Sequence, residues 1–412
     1  MKKWLIVSLF CSASPAIFAQ QATTPQEEWI TIFVHGTVGR TVSIKYLRAL
    51  FSKNIDGTRY KEETLKYRTG PTWARNQPAQ KLGLHKIHMD TPIKNAAQLF
   101  ARLYDEQQRK HYPRQKTVGY YTFGWSGLVN AHERRVEAEK FYKELKELVH
   151  QIRQLHPNIK IRIVGYSHGA NVTLNMACLH YKDSQANFVV DEFISIAAPT
   201  QRETDCYIVY PFFKKAYVLY SCADCIQKWD IFSTKSFRSG RKFRDNARCT
   251  IESCIRQAEF RISMASCNDL KRCARCPVMH PHKRIKRSPG HIELWHFAKL
   301  CDCDGDGIYE PCFESKLYRY YFPLEPLPAA VFVPAVTATI DKHLPYRHSV
   351  IEMQPDTGKA VIRRKKSYSN QIIDFIPPAT IEDMRTKSLP YLKKYTGFSP
   401  THPNCPRCSR FS

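Results

Sequence analysis

Residues 161–177 read IRIVGYSHGANVTLNMA: a short run rich in β-branched residues, a glycine-flanked turn, then an amphipathic run. A buried strand that passes through so tight a turn into a helix commits the chain to strands that are followed by helices. The rest of the first half keeps that rhythm. Trp29 to Val34 (WITIFV) is an apolar run ending at His35-Gly36-Thr37, and Val118 to Trp125 is another, stopped by Ser126-Gly127. Ala138, Phe141, Leu145, Leu148, Ile152 and Leu155 recur at spacings of three and four, the buried stripe of one helix. Asn130 and Glu133 stand at its start in capping-box register, and Pro157 marks its end. Further strands are expected at 161–164, within 188–198 and at 217–220, with a helix over 168–180. Short apolar strands alternating with helices predict an α/β fold, a mainly parallel sheet with helices on both faces.

Two stretches break the pattern. Residues 51–115 are polar and basic and read as a loop-rich insertion. Residues 235–290 carry Cys249, Cys254, Cys267, Cys273 and Cys276 among many Lys and Arg, and read as a Cys-rich basic insertion or cap. The main domain is expected over 20–315. Beyond it, 316–412 reads as a small C-terminal α+β extension with a hairpin around Asp356-Thr357-Gly358.

The first residues, MKKWLIVSLFCSASPAIFA, combine Lys2 and Lys3, an apolar stretch and the small Ala19, so 1–19 reads as a secretory signal peptide. The expectation is an exported protein, periplasmic or secreted. Its formal charge of +26 suits it to anionic surfaces such as a membrane or envelope. No helix-turn-helix, RNP-like or zinc-finger spacing is present, which argues against sequence-specific nucleic-acid binding.

Within GYSHG, Ser167 stands at the tip of the turn, where flanking glycines relieve crowding, and a hydroxyl there is a candidate nucleophile. The pentapeptide is loose, and its neighbours carry the argument. The His168 N–H, at the start of the next helix, can face a developing oxyanion. A second donor is expected from the loop after the first strand, at Thr37 or else Val38.

Taken in order, FVHGT, YYTFGWSG, IVGYSHGANV, ISIAAPT and YVLYSCADCIQ, spread over residues 29–230, resemble the α/β-hydrolase superfamily, particularly its lipase-like and esterase-like members. The resemblance implies an α/β-hydrolase fold and a triad in the order nucleophile, acid, histidine. Asp224, just beyond YVLY, is the implied acid; Asp205 is the alternative and Asp230 a weaker one. Seven histidines follow Asp224: His280, His282, His291, His296, His343, His348 and His402. His291, in the turn SPGHIEL, matches the family's loop after the last strand and is the implied base, with His348 as alternative. His168 takes a supporting place. The implied activity is two-step acyl transfer to water from an ester, a lipid-like one in view of the family and the basic surface, with no cofactor required. An acyltransferase or thioesterase, or an inactive hydrolase fold that binds anionic surfaces, stands as the alternative.

Cys222 and Cys225 bracket Asp224. Cys273 and Cys276 precede His280 and His282, and Cys405 and Cys408 form a third close pair. Such spacings fit zinc or redox chemistry in a reducing compartment and disulfides after export. The sharper expectation is a bond from Cys222 or Cys225 to the 249–276 cluster. Asp302, Asp304 and Asp306, followed by Gly307, are spaced like the first half of a calcium loop. The usual final carboxylate is absent, since Phe313 stands there, and an acidic turn is the alternative.

Overall fold

The computed structural model describes residues 26–38, 46, 54–227, 239–245, 250–251, 254–264, 285–301, 310–312, 323–344, 348–364 and 370–395. The expected signal peptide, Asp230 and the calcium positions Asp302, Asp304 and Asp306 lie outside these residues.

The apolar runs become the centre of one sheet. Its strands in chain order are β1 (Glu27–Val34), β2 (Gly83–Ile87), β3 (Gln115–Gly124), β4 (Lys160–Tyr166), β5 (Glu192–Ile196), β6 (Ala216–Tyr220), β7 (Ile255–Met264) and β8 (Ile285–Arg287). A short antiparallel pair, β9 (Lys299–Cys301) with β10 (Glu310–Cys312), stands apart from the sheet. The sheet continues with β11 (His348–Gln354), β12 (Lys359–Arg364) and β13 (Gln371–Asp374). Its order is β13-β12-β11-β7-β6-β5-β4-β1-β3-β2, with β8 on β7. The run from β11 to β3 is parallel, while β2, β8, β12 and β13 pair antiparallel with their neighbours.

Side chains alternate across this sheet as the two-residue period requires. On one face Ile30, Ile32, Val34, Ile161 and Ile163 meet the helices α3 (Ala131–Arg153) and α4 (His168–Lys182). On the other, Phe33, Val164 and Ile194 meet α2 (Ala96–His111), α5 (Val333–His343) and α6 (Pro378–Tyr395). Ile30, Ile32 and Val34 are fully buried, and burial of each such side chain contributes about 1.5–3 kcal/mol.

The expected helix at 138–155 is α3, with Ala138, Phe141 and Leu145 buried. Asn130 caps it by accepting from the His132 and Glu133 N–H groups. The Glu133 carboxylate also binds Lys61. Leu155 falls past the helix end and is 81% exposed.

Three expectations about organisation are overturned. Residues 51–115 are not loop-rich: they hold α1 (Arg59–Thr69), β2 and α2. Leu99, Phe100, Leu103 and Tyr104 form a helical stripe in α2, Asn95 caps Gln98, and Arg109, Lys110 and His111 complement the dipole at its end. Within 235–290, residues 255–264 are no cap but β7, an interior strand between β6 and β11. The hairpin around Asp356-Thr357-Gly358 forms as expected, yet it is not a separate module. β11 pairs parallel with β7, and Ala329–Val336 lie in the main core.

At the starting ends of the parallel strands lies a fully buried ion pair between Arg162 on β4 and Glu192 on β5. The guanidinium stacks 4.6 Å over Trp29 and also donates to Gln115 Oε1 at 2.7 Å. No helix among the described residues is long and apolar enough to cross a membrane.

Candidate active site

Past the finishing ends of the strands, the turn from β4 into α4 puts Ser167 at φ 52° and ψ −130°, a left-handed conformation that L-residues rarely adopt. Such strain costs about 1–3 kcal/mol and persists only where the surroundings over-determine it. Here the Ser167 N–H donates to the Ile196 carbonyl at 2.8 Å. Two residues on, α4 passes so close to β1 that a Cβ on Gly169 would stand 2.2 Å from the His35 carbonyl oxygen and 2.6 Å from that of Val34. Only glycine fits.

Two side chains from distant segments meet the Ser167 hydroxyl in series. His291 Nε2 lies 3.0 Å from Ser167 Oγ, and His291 Nδ1 lies 2.7 Å from Asp224 Oδ2. A carboxylate only accepts, so Nδ1–H donates to Asp224 and bare Nε2 accepts the serine proton. Ser167 and His291 are 4% and 9% exposed, and Asp224 is fully buried.

Each partner is held by its own supports. Asp224 Oδ1 accepts the Gln227 N–H at 3.2 Å, and Gln227 Nε2 donates to the Ala198 carbonyl. The Arg241 guanidinium donates to the carbonyls of Asp224 and Cys222. The Tyr166 hydroxyl donates to the His291 carbonyl at 2.8 Å, and its ring stacks on Trp295 at 5.1 Å. The residue before Ser167 thus fixes the turn that carries His291.

The loop after β1 is locked by His35, whose ring is fully buried. Nδ1–H donates to the Gly36 carbonyl, while Nε2 accepts from the Trp125 N–H and Arg68 Nε–H, both at 3.2 Å. Trp125 stacks on the imidazole and returns a bond from its indole N–H to the His35 carbonyl. Burial, reinforced by the Arg68 charge, holds the His35 pKa well below the usual histidine value, so the ring is neutral. Burial also brings Arg68 down to about 10. The Val38 N–H is committed to the Gly127 carbonyl at 2.9 Å, which removes Val38 as an oxyanion donor and leaves Thr37. His168 is the first residue of α4, where an N–H has no acceptor within the helix. Its imidazole turns aside toward Asn171.

The alternatives fall elsewhere. Asp205 opens a short 3-10 helix, and the His291 ring is bonded to Asp224. His348 begins β11 and pairs with Gln257, which sets it four strands across the sheet from β4 and so far from Ser167. His343 ends α5. His296 sits edge-on to Tyr166, and burial together with His291 lowers its pKa to about 3. His280, His282 and His402 are outside the described residues.

Cys222 and Cys225 are exposed free thiols on either side of the buried Asp224. Cys254 of the expected partner cluster precedes β7 at the opposite end of the sheet, since Ile255 pairs with Ala216 and Glu259 with Tyr220. A bond from Cys222 or Cys225 to Cys254 is therefore excluded by distance along β6. Cys249, Cys267, Cys273 and Cys276 lie outside the described residues.

Arg68, Trp125, Tyr166, Gln227 and Arg241 are supports that the sequence reading did not single out. Trp125 and Tyr166 had a signal, each lying at a strand's end beside a turn; Arg68 and Arg241 sat in stretches read as insertions. No protein-family model matches the chain, and no curated protein matches it significantly.

Proposed function

We propose that the protein is a serine hydrolase of the α/β-hydrolase type that cleaves carboxylic esters through an acyl-enzyme. The observation that carries this reading is the unbroken series Ser167–His291–Asp224, with distances of 3.0 and 2.7 Å. The strained backbone at Ser167 supports it, because strain of this kind clusters at functional sites.

The mechanism follows from the bonding. Ser167 Oγ attacks the ester carbonyl carbon as its proton passes to His291 Nε2. The charge that develops on the imidazole is stabilised by Asp224, which also fixes the tautomer. The carbonyl oxygen, now anionic, is met by the N–H groups of His168 and Thr37. His291 then hands the proton to the departing alkoxide, the alcohol leaves, and the acyl group stays on Ser167. Water activated by the same imidazole releases the acid and restores the hydroxyl.

The acyl side of such a substrate is apolar in this reading. The core residues Ile196, whose carbonyl accepts from the Ser167 N–H, and Leu294, close in sequence to His291, give that side an apolar lining. The basic chain and the export-like first residues favour a substrate at an anionic membrane or envelope surface.

Turnover of a soluble chromogenic ester by purified protein tests the reading. Ser167→Ala should lower kcat by on the order of 10⁶, and Asp224→Asn by on the order of 10⁴. Circular dichroism should show both variants folded. Retention of wild-type rates by folded Ser167→Ala refutes the assignment.

A further inference from the structure

Among the buried hydrogen-bonding groups without a partner, three belong to segments tied to the loop that follows β1. Thr37 Oγ1, Trp73 Nε1 and Ser126 Oγ are shut off from solvent, and none meets a hydrogen-bond partner among the described residues. An unpaired buried group of this kind costs about 1–3 kcal/mol, and native interiors keep few of them without a ligand or water to complete them. Three such groups on segments tied to one loop are costly in a packed core and useful in a binding site.

Their positions are tied together. Gly36, next to Thr37, approaches the nucleophile so closely that a Cβ on it would stand 2.9 Å from the Ser167 Cβ. Ser126 is held to the same loop by the bond from the Val38 N–H to the Gly127 carbonyl. The Trp73 ring meets His35 edge-on at 5.4 Å, with the Arg68 guanidinium 5.6 Å over its face. The segment carrying Trp73 is also clamped to the chain just after His291. The Phe297 N–H donates to the Asn76 carbonyl at 2.8 Å, and Asn76 Nδ2 reaches back to the Phe297 carbonyl at 3.4 Å. The segments that carry these groups are thus tied to the loop after β1, and that of Trp73 also to the chain after His291. His291 is the group that returns its proton to the departing oxygen, and a small apolar cavity of the core is lined by other residues.

We propose that Thr37, Trp73 and Ser126 form a polar subsite for the alcohol portion of the substrate, which is an ester of a polyol such as glycerol or a sugar. The proposal rests on the ester-hydrolase reading of Ser167. Trp73 Nε1–H only donates, and a substrate hydroxyl oxygen accepts from it; the two side-chain hydroxyls both donate and accept, as polyol hydroxyls do. A site whose buried groups need partners rejects a ligand lacking them more strongly than an apolar pocket discriminates by size.

The test compares kcat/KM for glycerol 1-monobutyrate and butyl butyrate, which share an acyl chain and differ in the hydroxyls of the alcohol. Wild-type protein should favour the glycerol ester by at least about tenfold. Trp73→Phe and Ser126→Ala, which remove one hydrogen-bonding group each, should each move that ratio several-fold toward one. Equal use of both esters by the wild type, or a ratio unmoved in both variants, overturns the subsite and leaves the ester-hydrolase reading standing. Hydrolysis of neither ester overturns both.

Discussion

Replacing Gly169 with alanine perturbs the site without touching a reacting group. The new methyl carbon would stand 2.2 Å from the His35 carbonyl oxygen and 2.6 Å from that of Val34. Ordinary carbon–oxygen contact needs about 1 Å more, and overpacking of this kind typically costs 1–3 kcal/mol. Neither atom belongs to a flexible side chain. β1 is wedged between β3 and β4, so the yielding element is the N-terminus of α4, which carries Ser167 and the His168 N–H. A displacement of about 1 Å at the nucleophile costs on the order of 10² in rate. Urea unfolding should therefore show a loss of about 2–3 kcal/mol, and ester turnover per folded molecule should fall about a hundredfold. Gly57→Ala is the control. Its φ of +69° makes it strained, but no atom lies within 4 Å of the added carbon, so it should lose about 1–2 kcal/mol and no activity. Wild-type stability and turnover in Gly169→Ala would refute the claim that this close approach positions the elbow.

Acid should destabilise the protein through its enclosed histidines. His35, facing Arg68 and Trp125, and His296, facing His291 and Tyr166, have pKa values depressed in the folded state. The unfolded chain takes up their protons first. Stability is therefore intact above about pH 6.5 and falls below it by about 1.4 kcal/mol per pH unit for each ring, until the folded-state pKa is reached. Between pH 6.5 and 4.5 the His296 ring alone costs about 2.5 kcal/mol, and His35 adds to the loss in the same direction. His296→Gln should remove about half of that slope in urea unfolding; an unchanged slope contradicts the assignment. Glu192→Gln should cost about 3–5 kcal/mol by leaving the buried Arg162 charge unpaired. Because that pair lies at the far end of the sheet, turnover per folded molecule should hold, and a loss below about 1 kcal/mol would show that the pair is dispensable.

The central strands were legible because each is a short apolar run ended by a turn, and their parallel arrangement follows from the helices between them. β7 was not. Its sequence IRQAEFRISM sets Arg256, Gln257, Glu259 and Arg261 among apolar residues, and it lies in a basic, cysteine-bearing stretch. Gln257 and Glu259 can be buried because Phe243 and Arg261 supply their partners, which depends on tertiary contacts. α2 did carry a readable stripe in Leu99, Phe100, Leu103 and Tyr104, hidden by the average polarity of 51–115. The attachment of β11 to β7 joins segments about ninety residues apart, and no local pattern announces such a pairing. Among the site residues, Ser167 was marked by its own turn. Asp224 and His291 were reached through the resemblance, since spacing cannot rank seven histidines. The locking of the loop after β1 by His35, Arg68 and Trp125 emerges only when three separate segments are brought together.

The most direct measurement is covalent labelling with a fluorophosphonate probe, read by intact mass and by peptide mapping. The account predicts one probe per chain on the peptide that contains Ser167, formed rapidly at neutral pH and lost in Ser167→Ala. Absence of labelling in folded wild-type protein, or labelling that persists in Ser167→Ala, would contradict it.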